Sequence, residues 1–239
     1  MASSSGRRSA RPLAAPLPRP APAGHRRRRT AVLLAVLLVA GVAAAAYALT
    51  RGPDLSPLRA RIVAIAQGQV GYQTDPPDTY CNKFSAYWDA GIDDCGNDNL
   101  DEEWCADFAA WVWKQAGAVV DYQLAPGYLN GNSASFYVWG VAHGTWHPVG
   151  SGYTPQPGDV AVYGLDVGAE TAVHVAVVTA ATGNDRAPDV INGDGDRTAY
   201  SAVEAGTNQA FADAKQKNAP LSGYVAPTSP PPAPAASSS

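Results

Sequence analysis

Apolar residues first recur with a helical period after Ser56-Pro57. Serine as N-cap and proline at the first helical position mark a helix start. Leu58, Ile62 and Ile65, with Gln69 beyond them, follow at helical spacing, and the first three are expected to face a core. Gly71 is the expected stop. Residues 72–101 lose the period and are rich in Asp, Asn and Gly, the pattern of a long ordered loop. Asp101 is placed to cap a second helix over 102–116, ended by Gly117. Phe108, Val112 and Ala116 share its apolar stripe, with Ala109 and Trp113 beside it. A third helix is expected over 133–141.

The period then changes to that of strands. Pro157-Gly158-Asp159 is a turn, followed by Val160-Ala161-Val162-Tyr163. His174-Val175-Ala176-Val177-Val178 is a second β-rich run, Asp189-Val190-Ile191-Asn192 a third, and Gly223-Tyr224-Val225 closes the series. Helices first and strands after predict an α+β domain over 55–225, its N-terminal helices packed on an antiparallel sheet.

Two kinds of segment fall outside that domain. Residues 30–50 are uncharged and almost wholly apolar, about the 20 residues needed to cross a bilayer. Arg26 to Arg29 precede them and orient the span, with the head in the cytoplasm and the domain outside. The span reads as a signal anchor, or as a signal peptide cut after small residues such as Ala46-Tyr47-Ala48. The expected location is therefore the cell membrane, single pass, or the exterior after cleavage. Residues 1–29 form an Arg/Pro-rich head and 226–239 a Pro/Ala/Ser tail, both too polar and broken to fold.

Charge sharpens the picture. Residues 1–51 hold nine Arg and no acid, whereas residues 52–239 hold eight basic against 21 acidic residues, a net of −13. An acidic body argues against nucleic acid as a partner, because such binding needs a cationic footprint.

The segment Glu103-Trp104-Cys105-Ala106-Asp107-Phe108 places Cys105 in the first turn of the second helix. Open N–H groups and the positive end of the helix dipole favour a thiolate there and can hold an oxyanion. Asp101, Glu102, Glu103 and Asp107 crowd the same site with negative charge, so an imidazolium is needed beside the thiolate. His174, at the start of a strand, is the candidate base. His25 lies in the head; His143 and His147 sit in a segment with Gly144 and Pro148, unsuited to a helical metal pair, and read as surface residues. Asn192 and Asp194, after the next strand, are the candidates to orient the imidazole, although Asn192-Gly193 also reads as a plain turn. A Cys81–Cys95 disulfide would close the loop before the helix, worth roughly 3 kcal/mol in the chain-entropy model, and leave Cys105 free. Pairing of Cys105 with either of the others would abolish the chemistry. Taken alone, Cys105 reads better as a small buried hydrophobe; the pairing of the other two cysteines and the marked helix start shift the balance to a nucleophile.

These residues resemble a known family. Trp104-Cys105-Ala106-Asp107-Phe108 with Trp111-Val112-Trp113-Lys114-Gln115-Ala116-Gly117 is similar to the nucleophile helix of CHAP domains, the cysteine, histidine-dependent amidohydrolase/peptidase domains of the NlpC-like cell-wall hydrolase group. Pro157-Gly158-Asp159-Val160-Ala161-Val162-Tyr163 and His174-Val175-Ala176-Val177-Val178 resemble the family's strand before the histidine and its histidine strand. Cys81-Asn82-Lys83-Phe84 resembles a segment upstream of the nucleophile in actinobacterial members.

The resemblance implies a papain-like fold, peptidoglycan as substrate, Cys105 as nucleophile and His174 as base. Many relatives carry Glu after the third strand and Asn two residues later; here Asn192 and Asp194 stand there. Some relatives hold calcium before the nucleophile, and Asp94, Asp98, Asp101 and Asp107 could supply oxygens, but no full calcium-loop pattern is present and no cofactor is expected. Tyr72, Trp88 and Trp104 are candidates to line a substrate cleft between helix and sheet. The expected activity is an N-acetylmuramoyl-L-alanine amidase or a peptidoglycan endopeptidase. The rivals are a non-catalytic, membrane-tethered wall-binding module of the same fold and a transglutaminase-like acyl transferase.

Overall fold

A computed structural model of the chain describes residues 56–180, 188–195, 203–207 and 219–230. The chain divides into two units, Met1–Asp54 and Leu55–Ser239, and all the described residues belong to the second. The expected head over 1–29, the apolar span over 30–50, His25 and the tail beyond residue 230 lie outside them. Among the described residues no helix is long and apolar enough to cross a membrane.

Helix α1, Pro57–Gln67, starts where the sequence marks it: the Ser56 hydroxyl accepts from the Arg59 N–H, and proline stands at N1. It ends earlier than expected, at Gly68, and Gly71 with φ 90° belongs to the turn beyond. Leu58 and Ile62 are buried, while Ile65 is partly covered.

Residues 72–101 hold more structure than a loop. A two-stranded antiparallel ribbon, β1 (Cys81–Asn82) with β2 (Leu100–Asp101), brackets a short helix, α2 (Lys83–Trp88). Asn82 caps that helix, its Oδ1 accepting from the N–H groups of Phe84 and Ser85 at 2.9 and 2.8 Å. The Cys81–Cys95 disulfide closes the segment, and Cys105 is the free thiol. Asp101 pairs with Cys81 in the ribbon, so it does not cap the next helix.

Helix α3, Cys105–Ala116, starts at Cys105 after Trp104 and stops at Gly117, whose φ of 85° suits glycine. Helix α4 spans Ala134–Ala142. Six strands follow: β3 (Trp146–Pro148), β4 (Val160–Tyr163), β5 (His174–Ala180), β6 (Asp189–Asn192), β7 (Glu204–Thr207) and β8 (Leu221–Val225). They form one antiparallel sheet in the order β3-β8-β4-β5-β6-β7. The fold is α+β, consistent with the papain-like expectation. Two strands, β3 and β7, were not expected from the sequence. β3 is three residues long and ends in proline, and an edge strand that short carries little periodic signal.

Both faces of β4 are covered, so its residues form an unbroken apolar run rather than an alternating one. Val160 and Val162 pack with α1 and α3, as do Val175 and Val177 of β5 and Ile191 of β6. Ala161, Tyr163, Ala176, Val178 and Val190 turn to a second, smaller core closed by Tyr153, Leu221 and Tyr224. Two polar bolts fix the helices to the sheet. The indole N–H of Trp113 donates to the Gly158 carbonyl at 2.9 Å. The fully buried Asp159 accepts from Arg59 Nη1, Tyr153 OH and the Gln156 N–H at 2.6, 2.9 and 2.7 Å. The first part of the expected tail also joins the body, since Ala226 donates to the Thr145 carbonyl and Thr228 accepts from Val119.

Candidate active site

The first turn of α3 is clasped from outside. Trp104, its N-cap residue, has no side-chain acceptor to offer. The carboxylate of Asp194 supplies one instead, taking the Trp104 N–H on Oδ2 at 3.3 Å across 90 residues of sequence. Asp107, in the same turn, is fully buried and accepts from Ser85 Oγ and Tyr122 OH, both at 2.6 Å, while its carbonyl takes the Trp88 indole N–H at 3.0 Å. Burial pushes the Asp107 carboxyl up, and the two hydroxyls offset part of that. Helix α2 and the Tyr122 segment are thereby tied to the helix start that carries the thiol.

Cys105 is buried, with 7% of its surface exposed. Its Sγ lies 3.2 Å from Ser133 Oγ. Burial pushes the thiol up to about 12; the Ser133 hydroxyl and the Val175 N–H pull against it, and Asp194 and Asp107 add to it. The expected depression at a helix N-terminus is therefore overridden. Removing a small anion from water costs more than the partial charges of one helix end return. A thiol raised this way is protonated at neutral pH, so nucleophilic chemistry calls for a partner that takes its proton.

β5 carries the candidate for that partner. His174 is its first residue, adjacent to the Val175 that contacts the thiol. The His174 ring bonds through Nε2 to Asn192 Oδ1 at 3.0 Å. Asn192 is fully buried at the end of β6, and its Nδ2 has no protein partner among the described residues. Of the two positions that the sequence left open, Asn192 bonds to the imidazole and Asp194 to the helix start. Gly193 between them lies so close to α3 that a Cβ there would come within 2.4 Å of the Phe108 Cβ. That close approach is what lets one short segment reach both.

Ser133 was not expected from the sequence. Serine before a helix reads as an N-cap, yet its side chain makes no cap bond. Asn132 Oδ1 takes the Ala134 N–H at 2.9 Å instead, which leaves the Ser133 hydroxyl to the thiol.

The three aromatic candidates for a cleft pack against neighbouring rings. Trp104 is fully buried and stacked on Phe84, with centroids 5.1 Å apart. Tyr72 packs edge-on against both rings, and its hydroxyl accepts from the Lys83 N–H. Trp88 stacks on Tyr122 with centroids 4.1 Å apart. Flat aromatic faces gain most by covering one another, and here they buttress the start of α3. A cavity lined by residues between Ala90 and Glu170 has none of these three in its wall.

His143 and His147 do not form a pair. His143 stacks on Trp139 and His147, in β3, on Tyr153. The four aspartates weighed for calcium do not form a cradle either. Asp107 is engaged by Ser85 and Tyr122. Among the described residues, the one group of three potential ligand atoms that converges is Cys81, Asp94 and Cys95, and its two sulfurs are bonded to each other.

Residues 96–194 match the family model described as CHAP domain. The match supports a CHAP-domain protein. It spans Cys105, Ser133, His174, Asn192 and Asp194. CHAP domains are typically cysteine- and histidine-dependent amidohydrolases, and the match points to peptidoglycan hydrolase or amidase-like activity. No curated protein and no solved structure matches the chain.

Proposed function

We propose that this chain is an exported peptidoglycan hydrolase that cleaves an amide bond with Cys105 as nucleophile, His174 as base and Asn192 as the residue that orients the imidazole. The observation that carries the reading is the 3.0 Å His174–Asn192 bond at the start of the strand whose next residue, Val175, contacts the free thiol. A Cys-His-Asn set is chemically sufficient for acyl transfer.

His174 Nε2–H donates to Asn192 Oδ1, and the other ring nitrogen takes the Cys105 proton. The thiolate attacks the amide carbonyl and its charge passes to the carbonyl oxygen, which the open N–H groups of the α3 first turn stabilise. His174 returns the proton to the leaving amine as the C–N bond breaks. Water, deprotonated by the same imidazole, then releases the acid from the thioester. Ser133 donates to the thiolate, and Asp194 holds the helix start in place. The bond cut is either the muramoyl–alanine amide or a peptide amide of the stem or crosslink. The apolar span tethers the domain outside the membrane, or releases it after cleavage.

Digestion of purified peptidoglycan by the full chain in detergent, beside Cys105→Ala and read by mass spectrometry, tests the reading. New amine and carboxyl ends that vanish with Cys105→Ala are the expected result and identify the bond. Intact wall with a folded protein favours the wall-binding module, and amine-coupled products favour the acyl transferase. Iodoacetamide adds a substrate-free measure. Wild-type alkylation shows a shoulder near neutral pH from the thiolate–imidazolium pair; in His174→Ala the rate climbs about tenfold per pH unit through pH 10 with no plateau, because the thiol titrates alone towards about 12. Superimposable profiles would remove His174 from the mechanism.

A further inference from the structure

We infer that the cavity beside Cys105 is a subsite for a peptide side chain of several methylenes ending in a primary ammonium, with Glu102 as its counter-charge. The inference rests on the hydrolase reading and assigns one side chain of the substrate peptide.

The cavity has a volume of about 520 Å³, and its wall includes Glu102, Leu124, Pro126, Tyr128, Asn132 and Glu170. Its wall draws on the two segments that carry the thiol and its hydroxyl partner. Glu102 stands three residues before Cys105, and Asn132 precedes the Ser133 whose hydroxyl lies 3.2 Å from Sγ. No Lys or Arg contributes to the wall. Its polar and apolar parts are arranged for one kind of ligand. Leu124 is 66% exposed, and with Pro126 and Val138 it gives the wall an apolar stretch. Those residues suit a run of methylenes.

The Glu102 carboxylate is half-buried and accepts no hydrogen bond among the described residues. Burial holds its pKa up, and the neighbouring Asp107, Glu103 and Asp101 add to that. Asp107 offers Glu102 no relief, since both its oxygens are committed to the Ser85 and Tyr122 hydroxyls. A partly desolvated carboxylate without a donor gains more from an arriving ammonium than an exposed one does. Glu170, also on the wall, makes the same mouth unfavourable to a carboxylate on the ligand. The chemistry fits a lysine-like end better than a zwitterionic one.

Binding to the full chain carrying Cys105→Ala, measured by calorimetry, tests the assignment without any hydrolysis. The probes are a synthetic L-Ala–D-iso-Glu–L-Lys tripeptide and the same peptide acetylated on the lysine Nε. The free amine is expected to bind about tenfold tighter, the strength of one charge-assisted hydrogen bond. Adding Glu102→Gln is expected to erase that preference while leaving the affinity for the acetylated peptide unchanged. This substitution removes a repulsion with Asp107, so the protein folds at least as well. Equal binding of the two peptides, or an equal loss for both with Glu102→Gln, would overturn the subsite and leave the hydrolase reading standing. Failure of either peptide to bind would also overturn it, and wall digestion by the wild-type chain would then decide the hydrolase reading separately.

Discussion

Gly193 is the position where a single methyl group tests the construction of the site. A Cβ built there lies 2.4, 2.6 and 2.8 Å from Phe108 Cβ, Cγ and Cδ1, where ordinary contact begins at 3.4 Å. Gly193→Ala must therefore part the end of β6 from α3 by about 1 Å. Insertion of a methylene into a packed core costs about 1–3 kcal/mol, which lowers Tm by roughly 2–4 °C per kcal/mol in a domain of this size. The functional cost is larger than the thermal one. Asn192 and Asp194 flank the glycine and hold the imidazole and the helix start respectively. A 1 Å displacement of such groups reduces turnover by about 10²-fold. Differential scanning fluorimetry and wall digestion measure the two effects on one preparation. Trimming Phe108 to Ala does not relieve the clash, because its own Cβ is the nearest atom. A Gly193→Ala protein with wild-type Tm and turnover, or one restored by Phe108→Ala, would refute the reasoning.

Three further expectations follow from other contacts. Asn192→Ala removes the acceptor of His174 Nε2–H and lowers kcat/KM by roughly 10–100-fold while Asn192→Gln restores little, since the longer amide overshoots a fully buried position; equal activity of all three proteins counts against Asn192 as the orienting residue. Asp107 and Asp159 are both raised by burial, so each folded form holds its proton to higher pH than the unfolded chain does, and each favours folding at acid pH and loses that contribution as pH rises through its folded pKa. The Tm of Asp107→Asn relative to wild type accordingly increases between pH 3 and pH 7 in thermal scans, and a falling difference would contradict the direction. Cys81→Ser with Cys95→Ser reopens a loop of 14-residue separation and costs about 3 kcal/mol in unfolding titrations, with alkylation of Cys105 retained; unchanged stability would show that the ribbon holds without the bridge.

Much of this architecture is legible along the chain because it depends on neighbours. Ser56-Pro57 starts α1, Gly117 stops α3, and Val160 to Tyr163 read as a strand from composition alone. Where local signals compete, the reading slips. Asp101 has the chemistry of a cap but is claimed by the β1–β2 ribbon, and α3 begins at Cys105 with its acceptor borrowed from Asp194. Trp104 has the surface of a cleft residue but is stacked on Phe84, which its own position cannot reveal.

By itself, then, the sequence determined the class of fold, the helix that carries the thiol, the strand that carries the imidazole, and a cysteine count that leaves one thiol over. These follow from period, capping and parity, each readable within a dozen or so residues. The tertiary structure alone decided that Asn192 meets His174 and Asp194 the Trp104 N–H, that Ser133 meets the thiol across 28 residues, and that the cavity opens beside Glu102. It also decided the state of the thiol, since burial outweighs the helix terminus only once the core has closed around Cys105. Side-chain pairing at a distance depends on which surfaces the packed core brings together, and no local pattern encodes that choice.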